Sequence, residues 1–426
     1  MTIYPLQDAN VGCASADDAE ALSQRGGERE IAANPAPRVM ATDIYHGIVV
    51  PAKLRNEKPF LSASDLGIKG KDIFSTSAKL GNSPEFGWWT PGLYLASGET
   101  SQVMDLCTHA SDGCRLNCLL VSGQREMMAN TAKEVGERLL RGDEMSSPTN
   151  LSLLRTYLYH YGYDEFMALL HDEIERQRGI ASEQGLELAV RLNATSDIMW
   201  EVKGIIDQFS DVIFYDYTKI PQRVVRFLSS GAPKEFRKES ALRHPKWASN
   251  PAVPDFPSNY FLAFSYSEIN LAWCLILLDM GANVVVPFTE TLGREPWGHT
   301  TKTRVPVKGI LPETFLGRPV IDGDAYDMRF IDNAFWSEQT GKRPPYIVGL
   351  RVKGHFQRKN VNAFFFDAHE AQALGSSNEF IADAVYHNTR EALAQGLRSQ
   401  LPALALAQEH LDPLVFEAFR QALSEN

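Results

Sequence analysis

The sequence predicts an α/β protein whose core is a full or partial (β/α) barrel. Short β-prone runs alternate with helical patterns through the second half of the chain, as in parallel βαβ units. Clusters of polar residues follow these runs, and the carboxyl ends of parallel strands are where such folds build their sites. We expect a disordered N-terminal leader before this core and a helical tail after it.

Length and composition are those of an ordinary globular protein. The chain has 426 residues, of which 44% are hydrophobic and 22% charged, and this excludes the collagen-like, coiled-coil and wholly disordered classes. The most apolar run, 271–278, is far shorter than the roughly 20 residues of a membrane-spanning helix. The N-terminus carries acidic residues and no apolar signal segment, so we expect a cytoplasmic protein that does not bind membranes. The net charge of −11 argues against non-specific nucleic-acid binding by the whole surface.

Composition divides the chain into four segments. Residues 1–40 are rich in Ala, Asp, Glu, Gln and Gly without a sustained period, which indicates the disordered leader. Residues 41–100 contain short apolar stretches broken by Gly and Pro, typical of an irregular α+β segment. The barrel-like core with a cysteine loop is expected over 101–366, and the helical tail over 367–426.

The period of the apolar residues predicts the individual helices and strands in order. Helical spacing covers 124–141 and 151–182 and, in the tail, 384–400 and 411–423. Between them, strand and helix patterns pair as 188–192 with 199–209, 212–215 with 222–228, and 260–264 with 267–280. Further strands are expected at 284–286, 319–321 and 346–350.

Polar side chains at the predicted strand ends are candidates for binding or catalysis. They are Asn193, Ser196 and Asp197, then Asp216, Tyr217 and Lys219, then Ser265, Tyr266 and Ser267, and finally the acidic set Asp322, Asp324 and Asp327. Helix N-caps explain Ser196, Ser267 and Asp322 equally well, because caps prefer these residue types. Asp216 with Lys219 is equally consistent with a structural ion pair. The acidic set would suit a divalent cation or a turn followed by a cap.

Three of the five cysteines stand close together, at Cys107, Cys114 and Cys118, in a C-x6-C-x3-C spacing. In a reducing cytosol this clustering favours a metal over disulfides. A [4Fe–4S] cluster held by three thiolates would keep one iron open, whereas structural zinc would take His109 as its fourth ligand. A loop without metal is the third possibility. Gly113 would let the backbone wrap closely around either kind of metal centre.

A basic stretch over 234–247 is a candidate partner for nucleic acid. Arg237, Lys238, Arg243 and Lys246 lie there with aromatic residues interleaved, a combination that can neutralise and stack on a single strand. A solvated loop with a hydrophobic foot explains the same residues. A second basic stretch over 354–360 has the same two interpretations.

The cysteine loop and two later motifs resemble the phage gene product 88 family. The later motifs are RLNATSDIMWE at 191–201 and FYDYTK at 214–219, and the resemblance extends from about 75 to 354. That family brings no established activity. The three-cysteine loop followed by βα units also looks like a radical S-adenosylmethionine (radical SAM) core, which would make the barrel one of radical SAM type. The usual loop of that class is C-x3-C-x2-C, and here Asn117 stands where an aromatic residue is usual.

The radical SAM resemblance implies a [4Fe–4S] cluster on the three cysteines, with S-adenosylmethionine bound at the open iron and cleaved to a 5′-deoxyadenosyl radical. It assigns cofactor binding to Asn193, Ser196, Ser265 and Ser267, and catalysis to Asp197, Asp216 and Lys219. The expected function is that of a phage or prophage enzyme that acts on a nucleotide, nucleic acid or peptide in the host cytosol. The alternatives are a non-enzymatic binding or regulatory protein stabilised by zinc and a metal-free protein that binds a small ligand. No P-loop, G-x-S-x-G, HExxH or GxGxxG motif supports a hydrolase or a dehydrogenase.

Overall fold

The structure of the chain is a computed structural model. It describes residues 60–77, 79–98, 100–118, 133–138, 140–141, 151–231, 256–289, 310–352 and 364–425. The predicted leader lies outside these residues, as do both basic stretches, including Arg237, Lys238, Arg243 and Lys246. In the described part, no helix has the length and apolar character needed to cross a membrane.

A single mostly parallel sheet organises the described residues. Its strands are β1 (Trp88–Trp89), β2 (Glu187–Val190), β3 (Ile213–Thr218), β4 (Tyr260–Ser265), β5 (Val284–Thr289), β6 (Thr314–Phe315), β7 (Arg318–Asp322), β8 (Ile347–Arg351) and β9 (Phe366–Asp367). Hydrogen bonds join them in the order β1-β2-β3-β4-β5-β8-β7-β6, and β9 also pairs with β5. Only the β6–β7 pair is antiparallel. The predicted mixed α/β class is therefore confirmed.

Helices connect and cover these strands. The α-helices are α1 (Asp112–Leu116), α2 (Leu151–Tyr161), α3 (Tyr163–Glu183), α4 (Pro221–Arg226), α5 (Leu271–Met280), α6 (Asp332–Thr340), α7 (Ala368–Leu374), α8 (Asn378–Ala394), α9 (Leu404–His410) and α10 (Pro413–Ser424). Short 3₁₀ helices cover Gly70–Asp72, Leu80–Phe86, Trp200–Val202, Ile206–Gln208, Arg329–Ile331 and Arg398–Gln400, and a π-helix covers Phe227–Gly231. Helix also continues at 133–138 and 140–141, inside the predicted 124–141.

Strand order bears on the predicted barrel. The first five strands are neighbours in chain order and run parallel, as they would in a barrel. Beyond β5 the order changes, because β8 lies between β5 and β7. No pairing among the described strands joins β1 to β6, so a full or partial barrel stays a prediction.

The two faces of the sheet pack against different cores, as the alternation of side chains along a strand requires. Phe214, Phe264 and Val284 belong to the large core that includes the apolar residues of α5. Their chain neighbours Tyr215 and Ala263 belong to two smaller clusters on the other face, which the segment around α6 helps to cover. Mostly parallel sheets are expected to be covered on both faces in this way.

Two glycines interrupt helices that the apolar period alone predicts as continuous. At Gly162, between α2 and α3, an added Cβ would lie 2.3 Å from the Leu61 carbonyl oxygen, so the chain needs glycine where the two backbones meet. The helix predicted over 199–209 is replaced by two 3₁₀ turns. Gly204, at φ 75°, separates them with a backbone conformation that α-helix does not allow.

Candidate functional site

The cysteine loop follows β1 and lies at the carboxyl ends of the strands next to it. The Cys107 Sγ accepts a hydrogen bond from the Gly98 amide at 3.4 Å and lies 3.9 Å from the carbonyl oxygen of Thr195, just after β2. The Cys118 thiol donates to the Ser97 hydroxyl at 3.1 Å. The loop is thus attached both to the residues that follow β1 and to those that follow β2.

The structure brings the three predicted ligand thiols near one another. All three are half-buried, which leaves each sulfur side chain partly accessible. Burial raises the pKa of Cys107 well above its usual value, and the neighbouring Cys114 and Cys118 thiols raise it further. Burial also raises the pKa of Cys114, although Lys219 opposes that shift. Both shifts favour the protonated thiols of Cys107 and Cys114, and metal binding would release their protons.

The described residues contain no preformed site for a metal ion. Among the described residues, no group of three or more His, Cys, Asp or Glu side chains is placed to hold one. His109, the predicted fourth zinc ligand, has its Nδ1 3.2 Å from the Thr108 hydroxyl. Burial lowers the pKa of His109, and Asp197 opposes that shift.

Glu268 fastens the cysteine loop to the sheet. This carboxylate, three residues after β4, is buried and accepts hydrogen bonds from the Ser111 hydroxyl and the Gly113 amide, both at 2.6 Å. Burial raises the pKa of Glu268, and these hydrogen bonds oppose the shift. A Cβ at Gly113 would lie 2.7 Å from the carboxylate, so only glycine allows the helix α1 to approach this closely. Gly113 therefore serves the contact with Glu268, where the sequence predicted a close approach to a metal.

The residue that follows α8 completes this attachment. Gln395 donates to Glu268 at 3.2 Å and accepts from the Asp112 amide at 3.1 Å. Ser111, the N-cap of α1, also accepts from the Cys114 amide at 3.2 Å. The backbone on both sides of Cys114 is thus fixed by hydrogen bonds that need no metal.

Asp197 links the segment after β2 to the segment after β3. Its carboxylate accepts from the Thr218 hydroxyl and the Lys219 amide, both at 2.8 Å, and from Arg223 at 2.7 Å. Both oxygens are thus engaged by neighbouring chain segments. Asp197, which the sequence predicted to be catalytic, therefore has a structural role, because it ties the segment after β2 to Lys219 and to α4.

Asp216 lies within β3, two residues before Thr218, and is fully buried. It accepts hydrogen bonds from the Asn193 amide and the Tyr260 hydroxyl, both at 2.6 Å. Burial raises the pKa of Asp216 to about 7, although both donors oppose the shift. The structure places Asp216 in no hydrogen bond or ion pair with Lys219 or a cysteine, so the predicted Asp216–Lys219 ion pair does not form.

Arg223 joins these groups into a buried network. Its guanidinium pairs with both oxygens of Glu201, at 2.9 and 2.8 Å, and with Asp197 at 2.7 Å. It also donates to the Tyr260 hydroxyl at 2.9 Å. A buried guanidinium needs acceptors for its nitrogens, and here Nε, Nη1 and Nη2 each donate to at least one oxygen.

The predicted cofactor-binding pair Asn193 and Ser196 forms a turn. The Asn193 side-chain oxygen accepts from the Ser196 hydroxyl, the Ile198 amide and the Trp200 indole at 2.9 to 3.0 Å. Its side-chain nitrogen donates to the Ile198 carbonyl at 2.8 Å. Both side chains are buried and point their polar atoms into this turn. The cap interpretation of Ser196 is wrong, because its hydroxyl bonds to Asn193.

Ser265 and Ser267 lie where β4 ends. The Ser265 hydroxyl is 3.2 Å from the Lys219 ammonium. Ser267 does not cap α5, which begins at Leu271, because Asn270 fills the turn by accepting from the Ser267 amide and donating to the Ser265 carbonyl. The Ser267 hydroxyl is buried and has no hydrogen-bond partner in the described part of the chain.

The acidic set after β7 is ion-paired. Asp322 and Asp324 both contact the Arg351 guanidinium, at 2.7 and 3.3 Å. Asp327, on the sheet face opposite Asp216, pairs with Arg191 at 2.8 Å and with Lys79 at 3.4 Å. Desolvation would raise the pKa of Asp327, but these cations hold it well below the usual range. The carboxylates serve as counter-ions, and neither the cation site nor the Asp322 cap forms.

A small cavity of about 50 Å³ lies near the amino end of β5, away from the cysteines. Its lining is mostly apolar, with Phe261, Ala282 and Phe330 among the lining residues. It offers no group for catalysis apart from the Arg329 guanidinium, which is buried next to Asp332. We therefore place the candidate site at the cysteine loop.

Sequence reasoning missed two of the groups that build this site. Glu268 comes three residues after the predicted strand end at Ser265, and this position could have marked it as a candidate site residue. Gln395 carries no such signal, because it lies 127 residues further along the chain. Gln395 reaches the cysteine loop because the C-terminal helices fold back toward it.

Comparison with known proteins gives one positive result. No curated protein and no solved structure matches the chain. The radical SAM core therefore stays a prediction. The family model described as gene product 88 matches residues 68–360, more than half of the chain and close to the extent predicted from the motifs. The chain therefore belongs to the gene product 88 family.

Proposed function

We propose that the chain is an iron–sulfur enzyme of radical SAM type, in which Cys107, Cys114 and Cys118 hold a [4Fe–4S] cluster. When bound, such a cluster supplies the single electron that cleaves S-adenosylmethionine. The proposed substrate is a nucleotide, a nucleic acid or a peptide, as the resemblance in the sequence implies.

The convergence of the three thiols at the strand ends carries this proposal. They lie after the first strand of a parallel sheet whose first five strands follow in chain order. Carboxyl ends of parallel strands are the usual place for a cofactor in such folds. A cysteine placed only for packing would be buried like Cys274, whereas these three are partly accessible.

The number of thiols favours a cluster over one ion. Three thiolates suit a [4Fe–4S] cluster that keeps one iron open, whereas structural zinc needs a fourth ligand in addition.

The remaining groups have supporting tasks. Glu268, Ser111 and Gln395 hold the cysteine loop in place before a metal is bound. Asp197 fixes the backbone of Lys219, whose side chain then reaches the space beside the thiols. Preorganisation of this kind lets a ligand bind without first ordering the loop.

Metal and sulfide analysis of protein purified without oxygen tests the proposal. We expect about four irons and about four sulfides per chain, with a broad visible absorption. Cys114→Ser should lose both, whereas Cys274→Ser should keep them, because the Cys274 thiol is fully buried in α5 and is directed at the Asn270 side chain. The loaded protein, given a reductant and S-adenosylmethionine, should form 5′-deoxyadenosine.

Three outcomes contradict the proposal or part of it. One zinc per chain, lost in Cys114→Ser, would support a zinc-stabilised binding protein. Protein without metal, with equal melting temperatures for the wild type and Cys114→Ser, would support a metal-free ligand-binding protein. A normal iron content without 5′-deoxyadenosine would keep the cluster and refute the radical reaction.

A further inference from the structure

The Lys219 ammonium lies beside the cysteine loop and has a single hydrogen-bond partner among the described residues. An ammonium has three donors, and in the described residues one of them is directed at the Ser265 hydroxyl at 3.2 Å. The nitrogen also lies 5.9 Å from the centre of the Phe364 ring. Lys219 is only partly exposed, so bulk water cannot fully solvate the charge.

No carboxylate neutralises this ammonium directly. Within the described part of the chain, Lys219 forms no ion pair shorter than 4 Å. The two nearest carboxylates that act on it, Asp197 and Glu268, are committed elsewhere. Asp197 accepts from Thr218, Arg223 and the Lys219 amide, and Glu268 accepts from the cysteine helix and Gln395.

The position of this cation favours an anionic ligand. A partly buried cation without a directly paired carboxylate is unfavourable, and an anion that reached it would gain from the low local dielectric.

The Ser265 hydroxyl is in contact with the ammonium and can donate its own proton to an anion bound there. Ser267, two residues later, has a fully buried hydroxyl without a partner in the described residues. The turn at Asn270 holds both serines in place.

We propose that Lys219 and the Ser265 hydroxyl form a binding site for an oxyanion, the carboxylate or phosphate group of a small-molecule ligand, beside the cysteine loop. An ammonium is a point charge that suits either group. The site is built from protein groups alone, so it does not depend on which metal the cysteines hold. It goes beyond the proposed function, because it fixes the charge and the place of one ligand group.

Thermal unfolding of the full chain in chloride, phosphate or acetate at equal ionic strength tests this site. An anion that binds the folded state raises the melting temperature in a saturable way. General salt effects of phosphate act on the whole surface and are equal in all variants. Lys219→Met removes the charge, Lys219→Gln keeps a donor without charge, and Lys219→Arg keeps the charge. Lys342→Met is the matched control, since Lys342 is exposed before β8.

We expect a saturable rise in melting temperature for the wild type, Lys342→Met and Lys219→Arg, and its loss in Lys219→Met and Lys219→Gln. Ser265→Ala should weaken the apparent affinity several-fold. A response to phosphate alone would identify a phosphate ligand, and a response to acetate alone a carboxylate ligand. No saturable rise in the wild type, or an equal rise in Lys219→Gln, would overturn the proposal. The readout needs no metal, so it stands apart from the test of the iron–sulfur enzyme.

Discussion

A methyl group at Gly113 is the sharpest test of how the cysteine loop is attached. In Gly113→Ala, the three atoms nearest to the new Cβ would be the carboxylate carbon and both oxygens of Glu268, each at 2.7 Å. Either α1 or the Glu268 side chain must move. The two short hydrogen bonds to this carboxylate, from Ser111 and from the Gly113 amide, would be lost or stretched.

The magnitude follows from these two bonds. Hydrogen bonds to a charged group contribute about 1.5–3 kcal/mol each, and alanine gains about 1 kcal/mol over glycine in a helix. We therefore expect Gly113→Ala to lower the free energy of unfolding by about 2–5 kcal/mol. Glu268→Ala removes the same bonds and should lower it by about 3–6 kcal/mol.

The two changes are strongly coupled, because the clash exists only while the carboxylate is present. In the Glu268→Ala background, Gly113→Ala should cost nothing or add about 1 kcal/mol of stability. Urea unfolding of the wild type, both single variants and the double variant measures this cycle. Gly179→Ala is the matched control, since Gly179 is exposed in α3 and an added Cβ would meet nothing within 4 Å.

If the losses in the free energy of unfolding add up in the double variant, the proposed clash with Glu268 is refuted. If Gly113→Ala costs the same with and without the Glu268 carboxylate, the methyl group clashes elsewhere and the close approach to Glu268 is not what requires glycine. A loss in Gly179→Ala equal to that in Gly113→Ala would show that neither effect comes from this contact.

Three further changes test other parts of the structure. Arg223→Met should lower the free energy of unfolding by about 3–5 kcal/mol in chemical denaturation, because it leaves the buried Glu201 carboxylate without its cation; an effect below about 1 kcal/mol would contradict a buried network. Folding raises the pKa of Asp216 from 3.8 to about 7, so the folded state binds this proton more tightly than the unfolded state. The contribution of this proton to the stability of the folded state is complete below about pH 4 and is lost as the pH rises through 7. The stability of the wild type relative to Asp216→Asn should therefore fall over this range, and a constant difference would argue against the shift. Gly162→Ala should lower the melting temperature by several degrees, because its Cβ would meet the Leu61 carbonyl oxygen at 2.3 Å. An unchanged melting temperature would show that the backbone at Leu61 can move away from this turn without loss of stability.

The sequence alone predicts most strands of the sheet because their apolar runs are short and bounded by polar or glycine residues. It predicts the family correctly because the motifs at 191–201 and 214–219 are long. It cannot predict the position of β8 between β5 and β7, since strand order depends on tertiary packing. Helix continuity at Gly162 and Gly204 is also mispredicted, because the apolar period records neither the approach of the Leu61 backbone to Gly162 nor the positive φ of Gly204.

For the candidate site, the cysteines and Lys219 follow from spacing and from the strand ends. The tasks of Asn193 and Asp216 do not, because a polar residue after a strand can point toward a ligand or into its own turn. Their hydrogen bonds here are internal. Glu268 and Gln395 could not be paired from sequence, since no local pattern links residues so far apart.

The contact between Gln395 and the cysteine helix has a consequence for biosynthesis. Gln395 lies 283 residues after Asp112 and beyond the 68–360 region that defines the family. The chain emerges from the ribosome from its N-terminus, so the cysteines are translated long before the residue that completes their support. Closing so long a loop is also slow, because its entropy is lost before the contact forms. A nascent or truncated chain that ends before α8 would therefore carry three thiols on an incompletely fastened loop.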